Sequence, residues 1–193
     1  MLIKKEIRIL GIDDAPFEKD KSKDVLVVGT IFRGSSWLDG LISTKIEIDG
    51  NDATEKIADM INNTKHKEQL RIVFLDGIAF GGFNVVDIKL LSKKVKLPVI
   101  TVMRNYPDFE KIEKALKNVS DYEDKIKLMK KAGEIHEVTV NDKKLFVQFT
   151  GIKFDKLVEI LKLTCTHAII PEPLRVAHII ASGIVTGESK GRA

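Results

Sequence analysis

Apolar residues recur along the chain with two different periods, and their order predicts how strands and helices follow one another. Short apolar or alternating runs predict strands at residues 6–12, 25–32 and 37–48, with a tight turn at 33–36. Three successive strands joined in this way are typical of an antiparallel meander. A period near 3.6 then predicts a first helix that begins at Asp52 or Ala53 and ends near Asn63.

Strands and helices alternate over the middle of the chain. We expect strands at residues 71–75 and 98–103, with a second helix at about 84–94 between them. The pattern then predicts helices at 108–117 and 121–132, a hairpin at 134–149 that turns at Asn141 and Asp142, a helix at 154–162, and a last helix after Pro173. Such alternation favours right-handed parallel crossovers.

This order of elements predicts a single α/β domain over residues 1–193. The crossover through the first helix should add the fourth strand parallel to the free edge of the first strand. The result is a mixed five-stranded sheet in the order 3-2-1-4-5, flanked by helices, with a C-terminal hairpin and helices. That arrangement is the ribonuclease H-like fold, and it places strands one and four side by side, about 4.8 Å apart.

Composition and charge exclude several classes of protein. The 193 residues carry 32 basic and 28 acidic side chains, and a net charge of +4 is too mild to indicate a nucleic-acid partner by itself. The apolar runs are far shorter than the ~20 residues that span a bilayer, and no signal peptide is evident, so we expect a cytoplasmic protein without membrane contact. The single cysteine, Cys165, excludes a disulfide framework. Aromatic residues, at 6%, do not suggest a nucleic-acid module that binds by stacking.

Aspartates end two strands that the predicted fold makes neighbours. Asp13 and Asp14 end the first strand, and Asp76 ends the fourth. Because parallel strands bring their C-terminal ends to one edge of a sheet, we expect Asp13 and Asp76 to converge there. Like charges held together favour a raised pKa or a bound cation, and carboxylate oxygens suit Mg²⁺ or Mn²⁺. Two such ions roughly 3.5 to 4 Å apart are the apparatus of phosphodiester cleavage.

A third carboxylate is normally needed to hold a second ion. Asp52 is the best candidate because it begins the helix after the meander, and Asp49 and Glu47 are alternatives. Each aspartate also has a structural explanation, since strand-ending aspartates form turns and Asp52 suits a helix N-cap equally well. Arg104, just after the fifth strand, is placed to face a phosphate, or else is a surface charge near a turn.

Other polar and glycine positions leave two interpretations open. Asp87 reaches the carboxylate edge or is an exposed helix charge, and the glycines at 77, 81 and 82 imply a close approach to the backbone or a flexible turn. His66, His136 and His167 have no partners at metal-ligand spacing, so we expect them to be incidental.

Several of these segments resemble known nucleases. The segments ILGID (9–13), FLDG (74–77), GF (82–83) and LPVITV (97–102) are similar to the core of endonuclease V, which cuts nucleic acid beside deaminated bases with a divalent metal. PEPLRVAH (171–178) is similar to that family's closing segment. More closely still, GIDDAPF (11–17), DGIAFGGFN (76–84) and GESKGRA (187–193) resemble the archaeal domain-of-unknown-function family 99, also named endonuclease dU. The resemblance covers nearly the whole chain.

The resemblance implies a metal-dependent nuclease that acts on DNA or RNA, at deaminated or damaged bases. Asp13 and Asp76 match the metal-binding aspartates of endonuclease V. Asp52 lies near that family's metal-binding glutamate, and Arg104 stands where it has a lysine. The chain has other residues where the family has two histidines, at 80–81 and at Ile152, and it lacks the Pro-Tyr-Ile-Pro wedge. Inosine specificity is therefore not implied.

Two hypotheses for function follow. In the first, the protein is a nuclease in which Asp13, Asp76 and Asp52 hold Mg²⁺ or Mn²⁺ and Arg104 contacts a phosphate of the nucleic acid. In the second, it is a catalytically silent ribonuclease H-like module that keeps the carboxylate edge and binds a nucleic acid or a partner protein. Metal binding without cleavage would distinguish the second from the first.

The last helix carries a structural prediction. Pro171 to Pro173 suit a helix start, where the helix dipole favours the acidic Glu172. Arg175 projects away from most of the apolar face, so we expect it to pair with an acidic partner and to serve stability. The tail after Gly187, with Lys190 and Arg192, is either a frayed terminus or a basic arm that grips phosphate.

Overall fold

A seven-stranded mixed sheet organises the protein in this computed structural model, which describes residues 3–19, 21–119 and 121–189. In chain order the strands are β1 (Arg8–Asp14), β2 (Asp24–Arg33), β3 (Trp37–Glu47), β4 (Leu70–Asp76), β5 (Ala79–Phe80), β6 (Asn84–Val85), β7 (Val99–Met103), β8 (His136–Val140) and β9 (Lys143–Thr150). The large sheet has the order β3-β2-β1-β4-β7-β9-β8, while β5 and β6 form a separate ribbon.

Six α-helices cover the sheet in the described part of the chain: α1 (Ala53–Asn62), α2 (Ile88–Val95), α3 (Phe109–Leu116), α4 (Tyr122–Lys131), α5 (Phe154–Thr164) and α6 (Glu172–Thr186). The second helix begins later than predicted because residues 84–85 form β6. Asp87 then caps α2, accepting hydrogen bonds from the backbone N–H groups of Lys89 and Leu90. Within the described residues, no helix is both long and apolar enough to cross a membrane. Lys190 and Arg192 of the tail lie outside those residues.

The pairing of the first five large strands confirms the predicted ribonuclease H-like order. Strand β1 pairs antiparallel with β2 and parallel with β4, and β4 pairs parallel with β7. The expected sheet of five strands is too small, however, because the β8–β9 hairpin joins it through antiparallel pairing of β9 with β7. Leu145 and Val147 on β9 are fully buried, and the sheet supplies the cover that an isolated hairpin lacks.

Alternate residues of the central strands pack into two separate cores. On one face, Leu10 and Ile12 of β1 lie in the core that includes buried residues of α1 and α2. On the other face, Ile9 of β1 and Phe74 of β4 lie in the core with buried residues of α5 and α6. Because side chains alternate along a strand, Asp13 and Asp76 continue the second series towards α6. Asp14 continues the first series and faces the other way.

Helix α6 approaches β1 so closely that only glycine fits beneath it. A Cβ atom on Gly11 would lie 2.4 Å from the carbonyl carbon of Pro173. The hydroxyl of Thr30 on β2 donates a 2.6 Å hydrogen bond to the carbonyl oxygen of Pro173. The close approach at Gly11 and the Thr30 hydrogen bond fix the first turn of α6 against the sheet, and the next turns then extend over the ends of β1 and β4.

A bidentate ion pair stabilises the start of α6. The Nε and Nη2 atoms of Arg175 donate to the two carboxylate oxygens of Glu172 at 2.8 and 2.5 Å. Glu172 is only 5% exposed, and its hydrogen bond raises the pKa of Arg175. The acidic partner expected for Arg175 is therefore its own neighbour one turn earlier.

We expect Gly11→Ala to lower the free energy of unfolding by about 1–3 kcal/mol, since the added methyl group forces β1 and α6 apart. Urea denaturation would measure the loss. Gly183→Ala is the matched control, because outside the helix its nearest neighbour is the backbone nitrogen of Ser189, 4.0 Å away. That change should be neutral or should stabilise the protein by about 0.5–1 kcal/mol. Equal effects of the two changes would contradict the close approach.

We expect Arg175→Met to cost about 2 kcal/mol of stability, because it leaves the buried Glu172 carboxylate without its charged donor. Divalent-metal affinity should stay unchanged. Adding Glu172→Gln to Arg175→Met removes the unpaired charge and should restore much of the stability, as a double-mutant cycle by denaturation would show. A double variant no more stable than Arg175→Met would mean that the pair is not the source of the effect.

Candidate metal centre

Three side chains bring metal-ligating atoms together at the C-terminal edge of the parallel strands. Asp13 follows Ile12 on β1, Asp76 follows Leu75 on β4, and Ile12 is paired with Leu75 in the parallel register. With His178 of α6 they offer one ligand atom each, and all three atoms lie within 4.8 Å of one another. The two aspartates thus converge as the strand order predicts.

Asp13 is held in one orientation by two neighbours. Its Oδ1 accepts a 2.9 Å hydrogen bond from the backbone N–H of Asp14. Its Oδ2 lies 2.9 Å from Nδ1 of His178. The residue is only 5% exposed, so both carboxylate oxygens are fixed by protein contacts at the edge of the sheet.

Asp76 lies between a negative and a positive neighbour. The pKa of Asp76 is raised to about 6, mainly by burial and then by the charge of Asp13, while Arg104 and His178 act in the opposite direction. The Nη1 atom of Arg104 is 3.5 Å from Oδ2 of Asp76. The Nε and Nη2 atoms of Arg104 are buried and have no hydrogen-bond partner among the described residues. Arg104 therefore offsets part of the negative charge and keeps two donors unused.

Asp14 faces the glycine-rich loop on the other side of the sheet. Its Oδ2 accepts a 2.9 Å hydrogen bond from the backbone N–H of Gly81. The pKa of Asp14 is raised to about 7, mainly by burial and also by the charge of Asp13, while the Gly81 hydrogen bond acts in the opposite direction. Asp14 thus connects the end of β1 to the loop after β4 rather than joining the metal-ligating group.

Gly81 and Gly82 allow the close approach that the sequence left open, whereas a Cβ atom on Gly77 would meet nothing within 4 Å. Gly81 and Gly82 have φ of 53° and 85°. A Cβ atom on Gly82 would lie 2.4 Å from Oδ1 of Asp49, the same atom that accepts a 2.8 Å hydrogen bond from the backbone N–H of Phe83. The loop is therefore held against the segment that follows β3.

The other acidic candidates are engaged elsewhere. Asp52 occupies the N-cap position of α1 without a capping side-chain bond, and its Oδ1 accepts from the backbone N–H of Glu47 and from the side chain of Asn84. Asp87 caps α2 and pairs with Lys131 at 2.5 Å. Among the described residues, neither of them nor Asp49 or Glu47 belongs to the converging group. Hydrogen bonds turn the segment after β3 towards the β5–β6 ribbon instead.

His178 is the third member of the converging group, and its spacing from Leu174 along the helix could have indicated this. It stands four residues after Leu174, which is fully buried between α6 and the sheet. Residues four apart share a helix face, so a helix that starts at Pro171 or Glu172 presents Leu174 and His178 to the same surface. The signal becomes specific only once α6 is known to lie over β1 and β4.

Comparison with known proteins identifies close relatives of this chain. The family model described as endonuclease dU matches residues 5–185. A UPF0215 protein of Methanothermobacter thermautotrophicus is 53% identical over 99% of this chain and 94% of its own length. A UPF0215 protein of Pyrococcus horikoshii is 44% identical over 97% of each chain.

Solved structures share the fold at two levels of similarity. A protein of unknown function from Archaeoglobus fulgidus has 38% identity and a TM-score of 0.84, covering 93% of this chain and 99% of that one. Endonuclease V from Bacillus subtilis has 12% identity and a TM-score of 0.60, with 91% and 79% covered, which shows a shared fold alone. Endonuclease V of Ciona intestinalis, in complex with an inosine-containing DNA, has 14% identity and a TM-score of 0.58, with 89% and 82% covered. From the family match and these identities, the chain belongs to the endonuclease dU family.

Proposed function

We propose that this protein is a nuclease that hydrolyses phosphodiester bonds of DNA or RNA with a divalent cation held by Asp13, Asp76 and His178. The observation that carries the proposal is the convergence of two carboxylates and one imidazole within 4.8 Å at the edge of the sheet. Membership of the endonuclease dU family supports the reaction class.

The donor atoms fit a divalent cation. Asp76 is buried beside Asp13, and burial first and the charge of Asp13 second raise its pKa to about 6. Arg104 offsets part of this rise from 3.5 Å. Carboxylate oxygens suit Mg²⁺ and Mn²⁺, while an imidazole is a better ligand for a transition-metal ion, so Mn²⁺ is the natural first probe.

Each residue has a role in this proposal. A divalent cation bound here would supply charge stabilisation and an activated water for attack on phosphorus. His178 and Asp13, whose Nδ1 and Oδ2 atoms are already 2.9 Å apart, would both serve as ligands of the cation. The guanidinium of Arg104, whose side chain is 30% exposed, binds the phosphate, for which its planar shape is well suited.

Deaminated or damaged bases are the substrate class that we propose, following the family's description as endonuclease dU. A cavity of about 220 Å³ supports this choice, because Gly77 and Met103, the direct neighbours of Asp76 and Arg104, are among its lining residues. Its volume is below the roughly 300 Å³ that a drug-sized ligand needs, which suits a single base.

Calorimetric titration with Mn²⁺, followed by a cleavage screen, tests the function. The screen uses DNA and RNA strands that contain uracil, inosine or an abasic site, each with Mg²⁺ and with Mn²⁺. We expect metal binding and cleavage of at least one strand. Metal binding without cleavage would favour the catalytically silent module, and absence of metal binding would overturn the proposed centre.

Asp13→Asn and Asp76→Asn should each weaken Mn²⁺ binding by at least about tenfold, yet leave the melting temperature unchanged or higher, since each change removes a repelling charge. Calorimetry and thermal denaturation measure the two effects. Asp52→Asn is the matched control, and it tests whether the third carboxylate expected from the sequence contributes. A marked loss of stability in both Asp13→Asn and Asp76→Asn would indicate structural aspartates instead.

Arg104→Met should weaken nucleic-acid binding while leaving Mn²⁺ affinity equal or higher, because the cation that competes for Asp76 is gone. The slope of log K against log salt should fall by about one, as for the loss of one phosphate contact. Arg104→Lys keeps the charge and should retain most of that slope. An unchanged slope in Arg104→Met would exclude a phosphate contact at this residue.

A further inference from the structure

Two exposed aromatic rings stand directly beyond the proposed phosphate contact. Tyr106 is 57% exposed and Phe109 is 45% exposed, and their ring centroids are 6.1 Å apart in an edge-to-face arrangement. Tyr106 also packs edge-to-face on Phe146 of β9, at 5.6 Å. One side of this cluster is therefore supported by the sheet, and the other side is open to solvent.

A proline and a helix cap constrain the backbone around these rings. Tyr106 precedes Pro107, whose ring restricts the chain, and comes two residues after Arg104. Phe109 is the first residue of α3, and Asp108 caps that helix by accepting a 3.1 Å hydrogen bond from the backbone N–H of Lys111. The backbone that carries the two rings is thus constrained, which lowers the conformational entropy that binding a base would cost.

The rings line two cavities that share Phe109, and one of these cavities includes sequence neighbours of Asp76 and Arg104. Phe109 lines the 220 Å³ cavity together with Gly77 and Met103. It also lines a second cavity of about 530 Å³, together with Tyr106. A nucleic-acid strand whose phosphate lies at Arg104 would therefore pass next to both rings.

Exposed aromatic rings beside a phosphate-binding arginine are the chemistry that recognises unstacked bases. Stacking on an aromatic side chain contributes about 1–3 kcal/mol per base, and every base has a face to offer. The low aromatic content of the chain gave no sign of this, since content does not show where the rings lie.

We propose that Tyr106 and Phe109 form a stacking platform for an unpaired nucleobase next to the phosphate at Arg104, in which the base lies on the face of one ring and against the edge of the other. The substrate is then a strand with an unstacked base, either single-stranded or locally opened. This inference rests on the proposed function, from which it takes the phosphate at Arg104. It adds the conformation of the nucleic acid and two residues that bind it.

A fluorescent reporter tests the contact directly. Trp37 is the sole tryptophan, and it lies on edge strand β3, four strands away from β7 in the sheet order. In a Trp37→Phe background, Tyr106→Trp places a single indole on the platform. We expect a short single-stranded oligothymidylate to quench this indole, and an abasic strand of equal length to quench it far less. Equal quenching by the two strands would overturn the stacking contact.

Binding measurements with matched variants give the second arm. Tyr106→Ala and Phe109→Ala should each weaken binding of the oligothymidylate roughly tenfold, with little effect on the abasic strand. Tyr106→Phe should keep wild-type affinity because its ring remains, and it also covers the case in which the alanine variants fold poorly. Trp37→Ala, which removes an exposed ring that is 66% accessible, is the control and should change nothing.

The outcomes separate this inference from the proposed function. If wild-type protein binds Mn²⁺ and cleaves a strand while both alanine variants bind oligothymidylate as wild type does, only the platform is wrong. If wild-type protein binds neither oligothymidylate nor the abasic strand, the platform fails, and the nuclease proposal fails with it only if the cleavage screen is also negative. Equal affinity for base-containing and abasic strands would also overturn the platform. The rings would then be a contact surface for a protein partner instead.

Discussion

Parallel pairing of β1 with β4 holds two carboxylates side by side, and much of the surrounding structure compensates for their negative charge. The register that pairs Ile12 with Leu75 keeps Asp13 and Asp76 close together, because each follows its paired residue on the same face of the sheet. Arg104 approaches one carboxylate and His178 the other. These contacts leave the pKa of Asp76 raised, so the site retains an excess of negative charge that a cation would balance.

The position of His178 follows from packing near the start of α6. Gly11 and Thr30 hold Pro173 against the sheet, and from Leu174 the helix rises about 6 Å over four residues to His178. The two residues from Gly11 to Asp13 advance about 6.6 Å along β1. These lengths match, so a helix that runs along β1 brings its imidazole to the end of the strand. The glycine at position 11 is thus a requirement of the site as well as of the core.

Much of the fold could be predicted from the sequence because it rests on periodicity and connection rules. The apolar alternation of β1 to β3 and the crossover through α1 fix the order of five strands, and with it the meeting of Asp13 and Asp76. The placement of the β8–β9 hairpin could not be predicted, since no local pattern states which strand a hairpin will join. Asp52 was expected at the same edge, but hydrogen bonds to Glu47 and Asn84 hold its side chain, and such contacts depend on how the loops pack. His178 required the orientation of α6, which a single sequence does not give.

The distribution of charge around the edge has a consequence for nucleic-acid binding under the proposed function. A phosphate backbone that approaches Arg104 also approaches Asp13 and Asp76, and their negative charge opposes it. A cation held between the carboxylates would reverse the sign of that interaction, so metal and nucleic acid should each raise the affinity of the protein for the other by the same factor. The stacking platform is uncharged and lies outside this coupling. Base contacts at Tyr106 and Phe109 would therefore contribute equally with and without metal, while the phosphate contact at Arg104 would depend on it.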